Sequence, residues 1–195
     1  MITNFSSSSI RTGVKRKRFW DQNAVANSYF SIATSTVGAG GASSVTFSSI
    51  PQTYTHLQIR AICRLGEATT DNNIYMQFNG DTAANYSNHY LYGSGSGVAS
   101  GAGVSSSNIP CMRCTGSTST ANMFGAGVID ILDYANTNKY KTLRSISGND
   151  QNGSGFAFLQ SGNWRSTSAI TSVSFVVATS NIAVNSSFAL YGVLA

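Results

Sequence analysis

From His56 to Leu65 the chain alternates between two faces, with Leu57, Ile59, Ala61, Cys63 and Leu65 on one and Gln58, Arg60 and Arg64 on the other. A repeat of two is the signature of a strand with one face buried, and it restricts this segment to a sheet. Ile74 to Asn79 repeats it, with Ile74, Met76 and Phe78 opposite Tyr75 and Gln77, before the turn signal Asn79-Gly80-Asp81. Ser44–Phe47 is short and β-prone and ends at Ile50-Pro51, because proline lacks a ladder donor and restricts the residue before it. Tyr90–Tyr92 and the runs 121–134, 140–147, 155–160, 170–179 and 187–194 complete the strand candidates. Residues 93–108, almost wholly Gly, Ser, Ala and Val, read as a long flexible loop. No window carries a persuasive helical period, so helix is expected to be scarce. The pattern predicts an all-β body, a jelly-roll-like antiparallel β-sandwich of about eight strands.

Composition fits a packed body rather than a disordered one. Only 10% of the 195 residues are charged, yet 42% are hydrophobic and 11% aromatic. Disordered chains lack the apolar surface to offset the entropy of ordering. Such a low charge points to a surface held largely against other protein. The net charge of +5 is concentrated at the start: Arg11, Lys15, Arg16, Lys17 and Arg18 are five of the twelve basic residues, and the other seven balance the seven Asp and Glu. The sequence thus divides into an extended N-terminal basic and aromatic arm, 1–35, and a neutral β-sandwich body, 36–195. No stretch approaches the roughly 18 apolar residues of a membrane span. Asp21, Gln22 and Asn23 follow Phe19 and Trp20, so no signal-peptide apolar run succeeds the basic cluster. Three cysteines, an odd number, do not suggest a disulfide framework and fit assembly in a reducing cytoplasm.

The residues with reactive chemistry form no recognisable catalytic pattern, and the expectation is a protein that is not an enzyme, with no cofactor and no metal. Asp130 and Asp133 lie three apart in a strand-like run, on opposite faces, and Asp133-Tyr134-Ala135-Asn136 reads as a strand end and turn. Cys111-Met112-Arg113-Cys114 is a lone CxxC without the βαβ setting of a redox motif or two further zinc ligands at motif spacing. These cysteines read as small buried hydrophobes. His56 and His89 stand apart in the sequence, and Gly93-Ser94-Gly95-Ser96-Gly97 imitates a nucleophile elbow only within low-complexity sequence. The glycine-rich runs 38–41 and 93–103 lack the Gly-Lys-Ser/Thr of a phosphate loop. That leaves the arm as the candidate partner-binding element: Arg11, Lys15, Arg16, Lys17 and Arg18, with Phe19 and Trp20 as apolar anchors. Docking on an acidic protein surface is the leading reading, ahead of a solvated tail and of nucleic acid.

Several segments, taken in order, resemble a known family. They are Thr36–Ala42, Phe47–Leu57, Phe78–Thr82, Asn163–Ser172 and the ending Ser187–Val193. Together they resemble small β-rich virion proteins of tailed bacteriophages, over roughly residues 30–195. The resemblance implies a virion structural protein and names no catalytic residue. Its leading form is a capsid decoration or cement protein, a homotrimer whose arms grip neighbouring subunits or the major capsid protein. The virion would be assembled in the host bacterial cytoplasm, with this chain on the capsid surface. The alternative is a tail-fibre or receptor-binding protein, its arm set in a tail adaptor protein and residues 85–108, with Tyr86, His89, Tyr90 and Tyr92, contacting a host glycan. No membrane partner is expected.

Overall fold

The computed structural model describes residues 28–194, which contain twelve strands and no helix. They are β1 (Tyr29–Thr36), β2 (Ser44–Phe47), β3 (His56–Cys63), β4 (Asp71–Phe78), β5 (Tyr86–Gly93), β6 (Val98–Ser106), β7 (Ile109–Thr115), β8 (Gly125–Leu132), β9 (Lys141–Asp150), β10 (Gly155–Trp164), β11 (Val173–Val176) and β12 (Ser187–Val193). One sheet has eight strands in the order β1-β12-β3-β8-β9-β10-β5-β6, and the other four in the order β2-β11-β4-β7. Every pairing is antiparallel.

The order is that of a long hairpin rolled up on itself. Its arms pair β1 with β12, β2 with β11, β3 with β8 and β4 with β7, and successive pairs fall in alternate sheets. This is the jelly roll expected from the sequence, in eight strands. Two further hairpins are inserted into it. β5–β6 follows β4, and β9–β10 follows β8; together they extend the larger sheet by four strands beyond β8. These strands form a wing with no counterpart in the smaller sheet.

The core fills the space between the sheets. Phe47, Val45, Val173, Phe175, Met76, Phe78 and Ile109 from the smaller sheet meet Leu57, Ile59, Ile129, Ile131, Phe188 and Leu190 from the larger, all buried. Phe175 and Phe188 bridge the layers with ring centroids 4.5 Å apart. The His56–Leu65 alternation behaves as the sequence implies, placing Leu57, Ile59, Ala61, Cys63 and Leu65 inside. The strand β2 stops at Phe47, and Gln52 secures the Pro51 corner by donating to the carbonyls of Ile50 (2.8 Å) and Ile170 (2.9 Å).

The turn after β4 is a structural hub. Asn79 (φ 53°) and Gly80 (φ 67°) both take left-handed backbone, as a tight Asn-Gly turn requires. The Asn79 carboxamide accepts from the backbone N–H of Thr171 and Ser172 and donates to Ala169, joining the turn to the segment before β11. Asp81 accepts from the Trp164 indole N–H at 2.7 Å, from the Asn85 amide at 2.9 Å and from the Ala83 backbone. These bonds, the Asn85 amide first, hold its carboxyl below the usual carboxylate range. Trp164 in turn stacks with Tyr86 and leans on Phe78.

Three expectations are corrected. The twelve strands exceed the eight foreseen because β1, β6 and β7 carry no plain strand pattern in the sequence. Residues 98–106, read as flexible loop, form β6, paired along β5 with one irregularity near its start. Glycine there is a packing device: a Cβ on Gly101 would collide with the Tyr90 ring, so the bare backbone lets that ring lie over the strand. Residues 29–35, assigned to the arm, belong to β1, an edge strand paired with β12 and anchored by Phe30 against Tyr54 at 5.5 Å. Its Ser/Thr-rich sequence hid the pairing. The arm residues Arg11, Lys15, Arg16, Lys17, Arg18, Phe19 and Trp20 lie outside the described residues.

Candidate binding surfaces

The outward face of the larger sheet carries an apolar row where a solvated antiparallel sheet normally turns polar. Cross-strand register aligns Val128 (β8), Ile146 (β9), Leu159 (β10) and Leu91 (β5) as direct neighbours. All four are exposed, Ile146 at 69% and Leu159 at 51%. With strands about 4.8 Å apart, the row runs about 15 Å across the sheet. Ile62 and Ala126 widen it at the β3–β8 end, where a hollow of about 800 Å³ opens beside Arg60. Arg60 closes that end, its guanidinium 5.8 Å from the Tyr29 ring centroid and 5.5 Å from that of Tyr191. Along one flank, Asp130 accepts from Gln58 (2.9 Å) and Arg144 (3.2 Å), so the charges beside the row are paired.

The opposite face of the wing looks inward, and beyond the smaller sheet it changes character. Phe158 and Tyr92 stand directly across from one another with centroids 5.2 Å apart and planes 11° from parallel. Tyr90 lies 5.5 Å from Phe158, and Phe156 meets Tyr92 edge-on at 5.4 Å. These rings form one wall of a cleft of about 220 Å³; Asn73 from β4 and Pro110 and Arg113 from β7 complete it, with Gln160 at its base. Arg113 pairs with the Asp71 carboxylate and sits 5.1 Å from the Phe156 centroid. Three buried polar atoms of the residues that line the cleft have no hydrogen-bond partner among the described residues: Asn73 Oδ1, Gln160 Nε2 and Arg113 Nε.

The other reactive groups are absorbed by the fold. Asp133 (φ 48°) ends β8, and its carbonyl accepts from Asn136 N–H at 3.0 Å, the turn expected there. Its carboxylate pairs with Lys139, which holds its pKa down, and lies 3.4 Å from His56 Nδ1. Asp130 and Asp133 therefore serve separate partners. Cys63, Cys111 and Cys114 are free and buried, as the sequence suggests, and burial pushes the Cys111 and Cys114 thiols up. Among the described residues no three His, Cys, Asp or Glu side chains gather as metal ligands would. Lys141 is wholly buried, its ammonium donating to the carbonyls of Asn136, Lys139 and Thr167; desolvation lowers its pKa.

Sequence reasoning grouped Tyr86, His89, Tyr90 and Tyr92 as one contact loop; the structure separates them. Tyr86 is buried, its hydroxyl accepting from Phe78 N–H and donating to the Asp81 carbonyl. His89 and Leu91 face outward, while Tyr90 and Tyr92 line the cleft. The alternation of a strand imposes that split. Neither surface was identified from sequence as such. Ile62 foreshadows the outward row, since it stands on the face of His56–Leu65 that carries Gln58, Arg60 and Arg64. No known protein family matches the chain, nor does any curated protein or solved structure.

Proposed function

We propose that this chain is a structural protein of a tailed-phage virion, a capsid decoration or cement protein that stabilises the shell. The observation that carries this reading is the apolar row on the outward sheet face. Contiguous apolar surface on an otherwise polar body marks a place where another protein packs. The occupant assigned to it is a second copy of this chain, repeated about a threefold axis to give a homotrimer. Neutral flanks favour that choice: Asp130 and Arg144 already neutralise one another, so copies approach without repulsion. The basic leader, with Phe19 and Trp20 behind it, would grip the acidic outer surface of the major capsid protein. The resemblance of five ordered segments to virion proteins points the same way, and the jelly roll is an architecture that capsid domains share with other functions.

Quantitative mass spectrometry of purified virions tests the role. Several hundred copies per particle are expected for a decoration protein. A few tens of copies would move the chain to the tail, and absence from the particle would overturn the reading.

A further inference from the structure

We infer that the cleft between the wing and the edge of the smaller sheet is a binding site for a neutral sugar ring, one pyranose unit of a polysaccharide. The inference is independent of how the body is held on a particle.

The shape comes first. A volume of about 220 Å³ falls below the roughly 300 Å³ at which drug-sized pockets begin, and suits a single six-membered ring with its hydroxyls. Its wall is an aromatic platform of rings packed on one another: Tyr92 and Phe158 stack at 5.2 Å, 11° from parallel, and Tyr90 tilts against Phe158. Stacked rings turn their weakly positive C–H edges outward, and such edges receive the oxygens of a sugar's ring and hydroxyls.

The polar atoms decide the ligand class. Gln160 is only 3% exposed, yet its amide Nε2 has no partner among the described residues and borders the cleft. Asn73 Oδ1 supplies an unpaired acceptor and Arg113 Nε an unpaired donor. A purely apolar ligand would leave all three stranded, at a cost in binding. Sugar hydroxyls donate and accept at once, so two donors and one acceptor set around an aromatic wall match them. A nucleotide also stacks on aromatic rings, but it requires cations for its phosphate. The cleft's one cation, Arg113, is committed to Asp71. That pairing also disfavours uronic or sialic acids.

The platform is prepared by the backbone. Gly101 admits the Tyr90 ring over β6, and Arg113 over Phe156 fixes the far end of the wall.

The test is a titration of isotope-labelled protein with the methyl glycosides of glucose, galactose and mannose, read at the Gln160 and Asn73 side-chain amides. Sodium glucuronate and AMP serve as charged comparators. Saturable shifts with at least one neutral glycoside are expected, weakened about tenfold or more by Tyr92→Leu and several-fold by Gln160→Leu. The Gln160 variant keeps the proposal testable should the Tyr92 variant fail to fold. Overturning results are the absence of saturable shifts with all three glycosides, shifts unchanged in the Gln160→Leu protein, or tighter binding of either charged comparator.

Discussion

The larger sheet consists of two halves built on opposite plans. In the half formed by β12, β3 and β8, the inward side chains Phe188, Leu57 and Ile129 are fully buried beneath the smaller sheet. In the wing, β9, β10 and β5 turn Ser145, Ser147, Gln160 and Asn88 inward together with Tyr90 and Tyr92, while Ile146, Leu159 and Leu91 point out. The pleat is the same in both halves; what differs is what lies opposite. Where a second sheet covers the face, burial selects aliphatic residues. Where the cover ends at β7, the inward face becomes aromatic and polar, and the apolar residues move to the side where a partner can cover them.

That contrast can be broken at graded cost. Removal of residues 187–194 deletes β12 from between β1 and β3, and no cooperative thermal transition is expected to remain. Phe188→Ala, within the covered half, should cost about 3–5 kcal/mol by chemical denaturation. Lys141→Met lies at the start of the wing, where three carbonyls would lose their donor; a loss of about 2–4 kcal/mol is expected in the same assay. Asp81→Ala would leave the buried Trp164 N–H unpaired, for about 1–3 kcal/mol. Asp81→Asn, which keeps an acceptor, should cost less.

Acid provides a finer probe. Asp81 and Asp133 both titrate below their ordinary value in the folded protein. Their contribution is therefore fully present above the unfolded value of about 3.9 and is lost as pH falls through the folded values. Melting temperatures followed downward from pH 5 should drop less steeply in Asp81→Asn than in the native chain.

The covered half was legible in the sequence because its alternation is plain. His56–Leu65 and Ile74–Phe78 predicted β3 and β4 directly, and the run 187–194 marked β12. In the wing, the runs 140–147, 155–160 and Tyr90–Tyr92 mark β9, β10 and part of β5, while β6 stays hidden. β6 is built of small residues, with Gly101 and Gly103 lying against Tyr90 and Asn88, and its Gly/Ser/Ala composition imitates a loop. β7 hid behind Pro110 and two cysteines; the proline sits beside an irregularity in its pairing with β4, where a strand tolerates it. The cleft was unreadable for a different reason. Asn73, Arg113 and Gln160 are distant in sequence: Asn73 and Arg113 are partners across β4–β7, and Gln160 joins them only because the inserted β9–β10 hairpin extends the larger sheet beyond β8.

The central claim, that the outward row of the wing is a contact surface rather than a solvated face, is tested most directly by the mass of the protein in solution. Light scattering should find the native chain trimeric and the double variant Ile146→Glu/Leu159→Glu monomeric, still with a cooperative thermal transition because both side chains already face outward, and with its midpoint lowered only by the loss of association. A native chain that is monomeric at the same concentrations, or a double variant that remains trimeric, would contradict it.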